Sequence, residues 1–314
     1  MTLGEVPRVD RLALDAAGLK ADGAISLRPG GGLETARFLR VTLDEWLDAA
    51  VELTGQWAGK PLAIALTSGT VDLRRMPERE ARGTSASGKS GGPVRLDLDR
   101  LIVSQDIALT RLRGDFRLLG GFNGEFTALM NDGPVVTGTV VPSRHGTAVR
   151  LRSNTAGETF AAAGVFLAGR GGRLDMTLTP REQRGHYDGR LTIRDVRVRN
   201  ASVLAELLNA ISVVGLLEQL NGQGLVFNTV EGEFLLTPQL IDLRRGSATG
   251  ASLGVSLTGV YQTGSKRLAM EGVISPVYLL NGVGAVLTKR GEGVFGFNYT
   301  LQGTAEALEV GVNP

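Results

Sequence analysis

A chain of 314 residues with 42% hydrophobic and 21% charged content can hold one large or two ordinary domains and is too apolar for intrinsic disorder. Its 34 basic and 32 acidic side chains nearly balance, and its arginines (Arg95, Arg113, Arg117, Arg150, Arg152, Arg190, Arg194) fall singly along strand-like runs, which argues against a nucleic-acid reader. With no cysteine, disulfides and thiolate metal sites are excluded. Glycine supplies 44 residues, about twice its usual share of roughly 7%, dispersed as a chain of many turns and bulges requires. The start, MTLGEVPRVDRLALDAAG, lacks the apolar run of a signal peptide, and no stretch reaches the ~20 apolar residues of a membrane-crossing helix. The chain is therefore expected to be cytosolic, or a piece of a longer exported protein.

Alternation is weak at first, and Ala24–Arg28 reads as a short strand before the turn Pro29-Gly30-Gly31-Gly32. Thr42 and Glu45 have the spacing of a capping box, and Leu43, Trp46, Leu47, Ala50 and Val51 recur at helical spacing. That predicts an amphipathic helix from Thr42 to about Gln56. Strands are predicted at Pro61–Ser68 and Thr70–Arg75. Residues 1–78 are read as N-terminal strands plus this helix, part of the same sheet as the rest. Residues 79–92, REARGTSASGKSGG, are expected to be a flexible loop.

From Pro93 to Ser153 period two dominates, with Val94, Leu96 and Leu98 alternating against Arg95, Asp97 and Asp99. Glycine-containing turns divide the run into an antiparallel meander. A second capping box, Thr155 to Glu158, starts a short helix with Phe160, Ala163, Gly164 and Leu167 on one face. Strands resume at Gly172–Thr179 and Tyr187–Arg199. Ser202 is expected to cap a long apolar helix carrying Leu204, Leu207, Leu208 and Ile211, broken near Gly215 before Leu216, Leu217 and Leu220. Ser275-Pro276 is expected to open a last short apolar turn.

The order is many strands, interrupted by short apolar helices near 43, 156, 202 and 277, too few for a parallel βαβ sheet. This gives a mainly β fold: a long antiparallel sheet with a few apolar helices capping or plugging it. About fourteen strands at ~4.8 Å spacing are more than an open sheet usually holds flat, so it should curl or split. Leu225 and Phe227 share a strand face, as do Leu253, Val255 and Leu257, and Phe295, Phe297, Tyr299 and Leu301. A sandwich core explains such faces, and the residues alone slightly favour it. A sheet curled into an open trough around something greasy explains them too. At ~0.8 kcal/mol per CH₂, moving a ~16-carbon acyl chain through water costs roughly 12 kcal/mol, and an apolar track would remove most of that.

Nothing in the chain has the layout of an active site. The two histidines, His145 and His186, sit in turn contexts, and a base–orienter pair of His186 with Asp188 has no GxSxG nucleophile beside it. The acids alternate with arginines as on a solvated face rather than in catalytic pairs. GRGGR at 169–173 and GQG at 222–224 lack the strand–glycine–helix order of a phosphate loop, and metal-ligand spacing is absent.

The segments 201–234 (ASVLAELLNAISVVGLLEQLNGQGLVFNTVEGEF), 275–282 (SPVYLLNG) and 291–314 (GEGVFGFNYTLQGTAEALEVGVNP) resemble the C-terminal region of the AsmA-like family, in its large YhdP-type members. TAGETFAAAG at 155–164 followed by GGRLDMTL at 171–178 fits the same pattern, and the resemblance covers roughly residues 93–314. It implies a curled β-rich sheet with a hydrophobic groove, in a periplasmic protein anchored in the inner membrane by an N-terminal helix. It implies a non-enzymatic role in moving phospholipid towards the outer membrane, or in keeping that membrane intact. The implied partners are phospholipid or another acyl lipid, the inner and outer membranes, and other envelope proteins; no cofactor or nucleic acid is implied. Phe227, Phe234, Leu253, Val255, Leu257, Phe295, Phe297, Tyr299 and Leu301 would line the groove. Leu204, Leu207, Leu208, Ile211, Leu216, Leu217 and Leu220 would close its end or touch a membrane. Lacking an anchor and stopping at Pro314, the chain is expected to be a C-terminal fragment. The rival expectation is a structural or assembly factor that handles outer-membrane proteins through exposed sheet edges.

Overall fold

The computed structural model describes residues 7–29, 31–56, 60–77, 91–118, 121–276, 296–304 and 307–313. These hold nineteen strands of a mixed, open sheet and three short helices. The chain divides into two compact units, residues 1–142 and 143–314.

The first unit carries β1 (Arg8–Ala16), β2 (Leu19–Leu27), β3 (Leu33–Leu43), β4 (Leu47–Thr54), β5 (Ala63–Asp72), β6 (Pro93–Ile102), β7 (Ala108–Arg117), β8 (Asn123–Met130) and β9 (Val135–Ser143). Each pairs with its sequence neighbour, antiparallel except for β5 and β6. That parallel pair, with Ile64 opposite Val94 and Val71 opposite Leu101, corrects the all-antiparallel expectation. Parallel neighbours need a crossover, and residues 73–92 supply its length. Of the expected flexible loop, residues 79–90 lie outside the described residues.

The expected helix over 42–56 is instead β4 and the turn before it. Leu43, Leu47 and Val51, four residues apart, satisfy period two as well as the helical spacing, and backbone pairing decides between them. Leu43 is opposite Leu47 and Ala36 opposite Leu53 on one side of β4, while Val71 and Ile64 face the same residues on the other. Asp44 takes a left-handed conformation (φ 45) in the turn, where its amide donates to Gly18 O.

The second unit carries β10 (Gly146–Ser153), α1 (Ala156–Ala162), β11 (Gly169–Arg170), β12 (Arg173–Pro180), β13 (Tyr187–Val198), α2 (Ser202–Ala210) and α3 (Val214–Asn221). It continues through β14 (Leu225–Leu236), β15 (Leu240–Gly250), β16 (Leu253–Gln262), β17 (Arg267–Pro276), β18 (Phe297–Thr304) and β19 (Ala307–Asn313). From β12 onward each strand pairs antiparallel with the next.

α1 forms where expected, but without a capping box. Thr155 makes no side-chain cap bond, and the Ala156 and Gly157 amides donate instead to Gly172 O and Gly171 O. The Glu158 carboxylate in turn accepts from the Gly171 amide at 3.0 Å, so GRGGR serves as the helix's backbone cap. Ala201, not Ser202, precedes the first turn of α2. The break before α3 falls at Ser212, left-handed at φ 59, three residues ahead of Gly215. Ser275 and Pro276 belong to β17, opposite Gly254 and Leu253, and the expected turn after them lies outside the described residues.

Candidate functional site

In an antiparallel sheet, residues opposite one another project to the same face. The registers of the second unit therefore define transverse rows. One runs Leu174, Ile193, Val230, Ala248, Val255, Ile274, Phe297 from β12 to β18. A neighbouring row runs Leu151, Met176, Leu191, Gly232, Gly246, Leu257 from β10 to β16. A third passes through Leu178, Gly189, Phe234 and Leu243, and Gly259 continues it to Met270, Leu301 and Val310. None of these residues is charged. Bulges between Phe227 and Thr229 and between Leu243 and Gly246 reset the alternation without turning a charge inward.

The opposite face carries the ions, many directly across from a partner. Arg152 is opposite Asp175 and Arg190 opposite Glu233, with N···O separations of 3.6 and 2.9 Å. In the first unit Arg37 is opposite Glu52 and Arg95 opposite Asp115, at 3.2 and 3.1 Å. Guanidinium hydrogen bonds hold the Asp48, Asp72, Asp175 and Asp188 carboxyls below the usual carboxylate range, from Arg40, Arg74, Arg150 and Arg181 respectively. Asp188 is taken by Arg181 and Arg244, while the His186 ring Nδ1 lies 3.0 Å from Arg184 O. Among the described residues no group of acids and histidines is placed to hold a metal ion.

Of the residues expected to line a groove, Phe227, Phe234, Leu253, Tyr299 and Leu301 are buried, and Val255, Leu257 and Phe297 are half-buried on the same face. Phe295 lies outside the described residues. Leu207, Leu208, Leu216 and Leu220 are buried in one cluster with that face, and Leu204, Ile211 and Leu217 pack against the cluster. α2 touches α3 and β19, whereas α3 touches β14. The helix pair thus lies on the apolar face, at the strand ends where Val198 meets Leu225. Tyr299 reaches over Gly272 to donate its hydroxyl to Ser256 O at 2.7 Å, and burial pushes that hydroxyl's pKa up.

The sequence reading missed Ile274, Met270, Val230, Leu191 and Met176, which connect the expected residues into rows. Their signal was present in the alternation of RLAMEGVI and GGRLDMTL, but rows appear only once register is known.

All strands belong to one sheet, so no second sheet among the described residues covers the apolar face as in a sandwich. The class defined is a mainly β protein with an open mixed sheet, which in the second unit has one apolar and one ion-paired face, leucines of α2 and α3 being buried with the apolar one. Compared with family models, with curated proteins and with solved structures, the chain has no match in any of the three. Among the described residues no helix is long and apolar enough to cross a membrane.

Proposed function

We propose that the chain is a non-enzymatic segment of a lipid conduit, whose apolar face shields phospholipid or other acyl chains as they pass between the inner and outer membranes of a bacterial envelope. The observation that carries this reading is the run of uncharged transverse rows across one sheet face, with no second sheet among the described residues. Val255, Leu257 and Met270 on that face are only partly buried where they pack against the buried cluster, which leaves apolar surface for a transient ligand. The helix pair α2–α3 is read as a plug at one end of the track. The resemblance to AsmA-like proteins supports a periplasmic setting and an anchor elsewhere in a longer protein.

A photoreactive benzophenone side chain at Val255, Leu257 or Met270 tests the proposal in chain purified from a bacterial periplasm. Mass spectrometry is expected to find phospholipid attached from these inward positions and none from Thr258, which alternates to the other face. If folded protein gave no lipid adduct from any inward position, the conduit would be lost. Capture of an unfolded barrel protein at β1 or β19, each paired on one side only among the described residues, would favour the assembly-factor reading.

A further inference from the structure

The loop after α1 places three large apolar side chains in water. Val165, Phe166 and Leu167 are 49%, 42% and 69% exposed, consecutive in the sequence. Their backbone is fixed rather than trailing. The Gly164 amide donates to Ala161 O, and the Val165 and Phe166 amides both donate to Phe160 O, at 3.0, 3.0 and 3.4 Å. On the far side the Arg199 amide donates to Ala168 O at 3.1 Å. An apolar tip of this kind costs solubility and does nothing for the core, so its position calls for a use.

Arginines adjoin the tip. Arg170 is opposite Arg197 across the β11–β13 pair, and Arg199 follows two residues on. The Arg170 Nη1 donates to Leu167 O and Gly169 O at 2.7 and 2.6 Å, and the Arg197 Nη1 donates to Gln223 O at 2.7 Å. Each guanidinium keeps further N–H groups in fork geometry suited to phosphate. The nearby acids are committed elsewhere, Glu158 to the Gly171 amide and Asp195 to Arg173. Like charges opposite one another on neighbouring strands repel, so this cluster also weakens its own sheet.

We infer that residues 164–168 with Arg170, Arg197 and Arg199 form a docking site for an anionic phospholipid bilayer, the apolar tip entering the interface while the guanidiniums meet headgroup phosphates. Apolar insertion beside cations is the usual arrangement of surface-bound membrane proteins. A protein partner would have to offer both an apolar socket and a row of acids, whereas a bilayer offers both everywhere.

The chain has no cysteine, so Leu167→Cys takes a single environment-sensitive fluorophore, and Leu39→Cys, at an 85% exposed position in the first unit, serves as control. With vesicles of phosphatidylethanolamine and phosphatidylglycerol, emission from position 167 is expected to shift to the blue while that from position 39 stays put. Co-sedimentation of unlabelled protein should fall tenfold or more for Phe166→Ser with Leu167→Ser. It should fall roughly fivefold for each arginine replaced by glutamine, with far smaller losses on phosphatidylcholine. Unshifted emission at 167, or folded variants that sediment as well as the parent, would overturn the site. Neither readout needs lipid on the apolar sheet face, so a failure here is distinct from failure of the conduit.

Discussion

Glycine and aromatic residues in this sheet answer one another across strands. Gly138 is opposite Phe126, Gly189 opposite Phe234 and Gly272 opposite Tyr299. A Cβ built on Gly138 or Gly189 would overlap the facing ring, so each aromatic lies flat over bare backbone and roofs two strands at once. Few aromatics then cover much of a single-layer sheet, which reconciles 44 glycines with only 10 phenylalanines and 4 tyrosines. Gly189→Ala should force the Phe234 ring off its seat and cost about 1–3 kcal/mol, read as a lower urea midpoint with unchanged slope. An unchanged midpoint would show that the ring has room to move. Composition displayed the excess of glycine, but only register showed which ring each glycine serves.

At the scale of the elements, the helix pair α2–α3 bears most on the second unit. Leu208 and Leu220 are fully buried against the sheet, and Leu208→Ala is expected to cost about 2–5 kcal/mol. Hydrogen exchange should show the loss first in α2, α3 and β19, because α2 rests on β19. Protection falling equally in β12 and β13 would contradict that. The strands from β6 to β10 and from β12 onward were legible because one face meets apolar neighbours and the other meets ions, so alternation is unambiguous. Residues 43–51 were not, since Leu43, Leu47 and Val51 satisfy both periods at once and long-range pairing settles the choice. Of the apolar rows only members on β14, β16 and β18 were foreseen, because the residues that join them are known only from register. The loop 164–168 was not foreseen: Leu167 was assigned, with Phe160, Ala163 and Gly164, to one face of a helix that ends at Ala162.

Both units carry carboxylates held by arginines, and acid should reveal them. Asp48, Asp72, Asp175 and Asp188 have lowered pKa values in the folded chain, so their contribution is complete above the ordinary carboxylate value of about 3.9 and disappears as pH falls through the lower folded values. Urea midpoints should be level from pH 7 to 5 and drop below about pH 4. Asp72→Asn should remove the largest single share of that drop, because Asp72 is buried while the other three carboxylates are half-exposed. A midpoint that rose on acidification would contradict the assignment. The pairing order carries a further consequence, for the sequence of events in folding. From β12 to β18 each new strand meets a partner made just before it, so local contacts dominate and the sheet can be laid down as fast as chain is delivered. The contact of α2 with β19 is different, for it joins segments far apart in the chain. α3 can settle on β14 as soon as that strand is made, whereas α2 lacks one of its partners until β19 arrives, and a chain stalled short of it would leave that side of α2 in water.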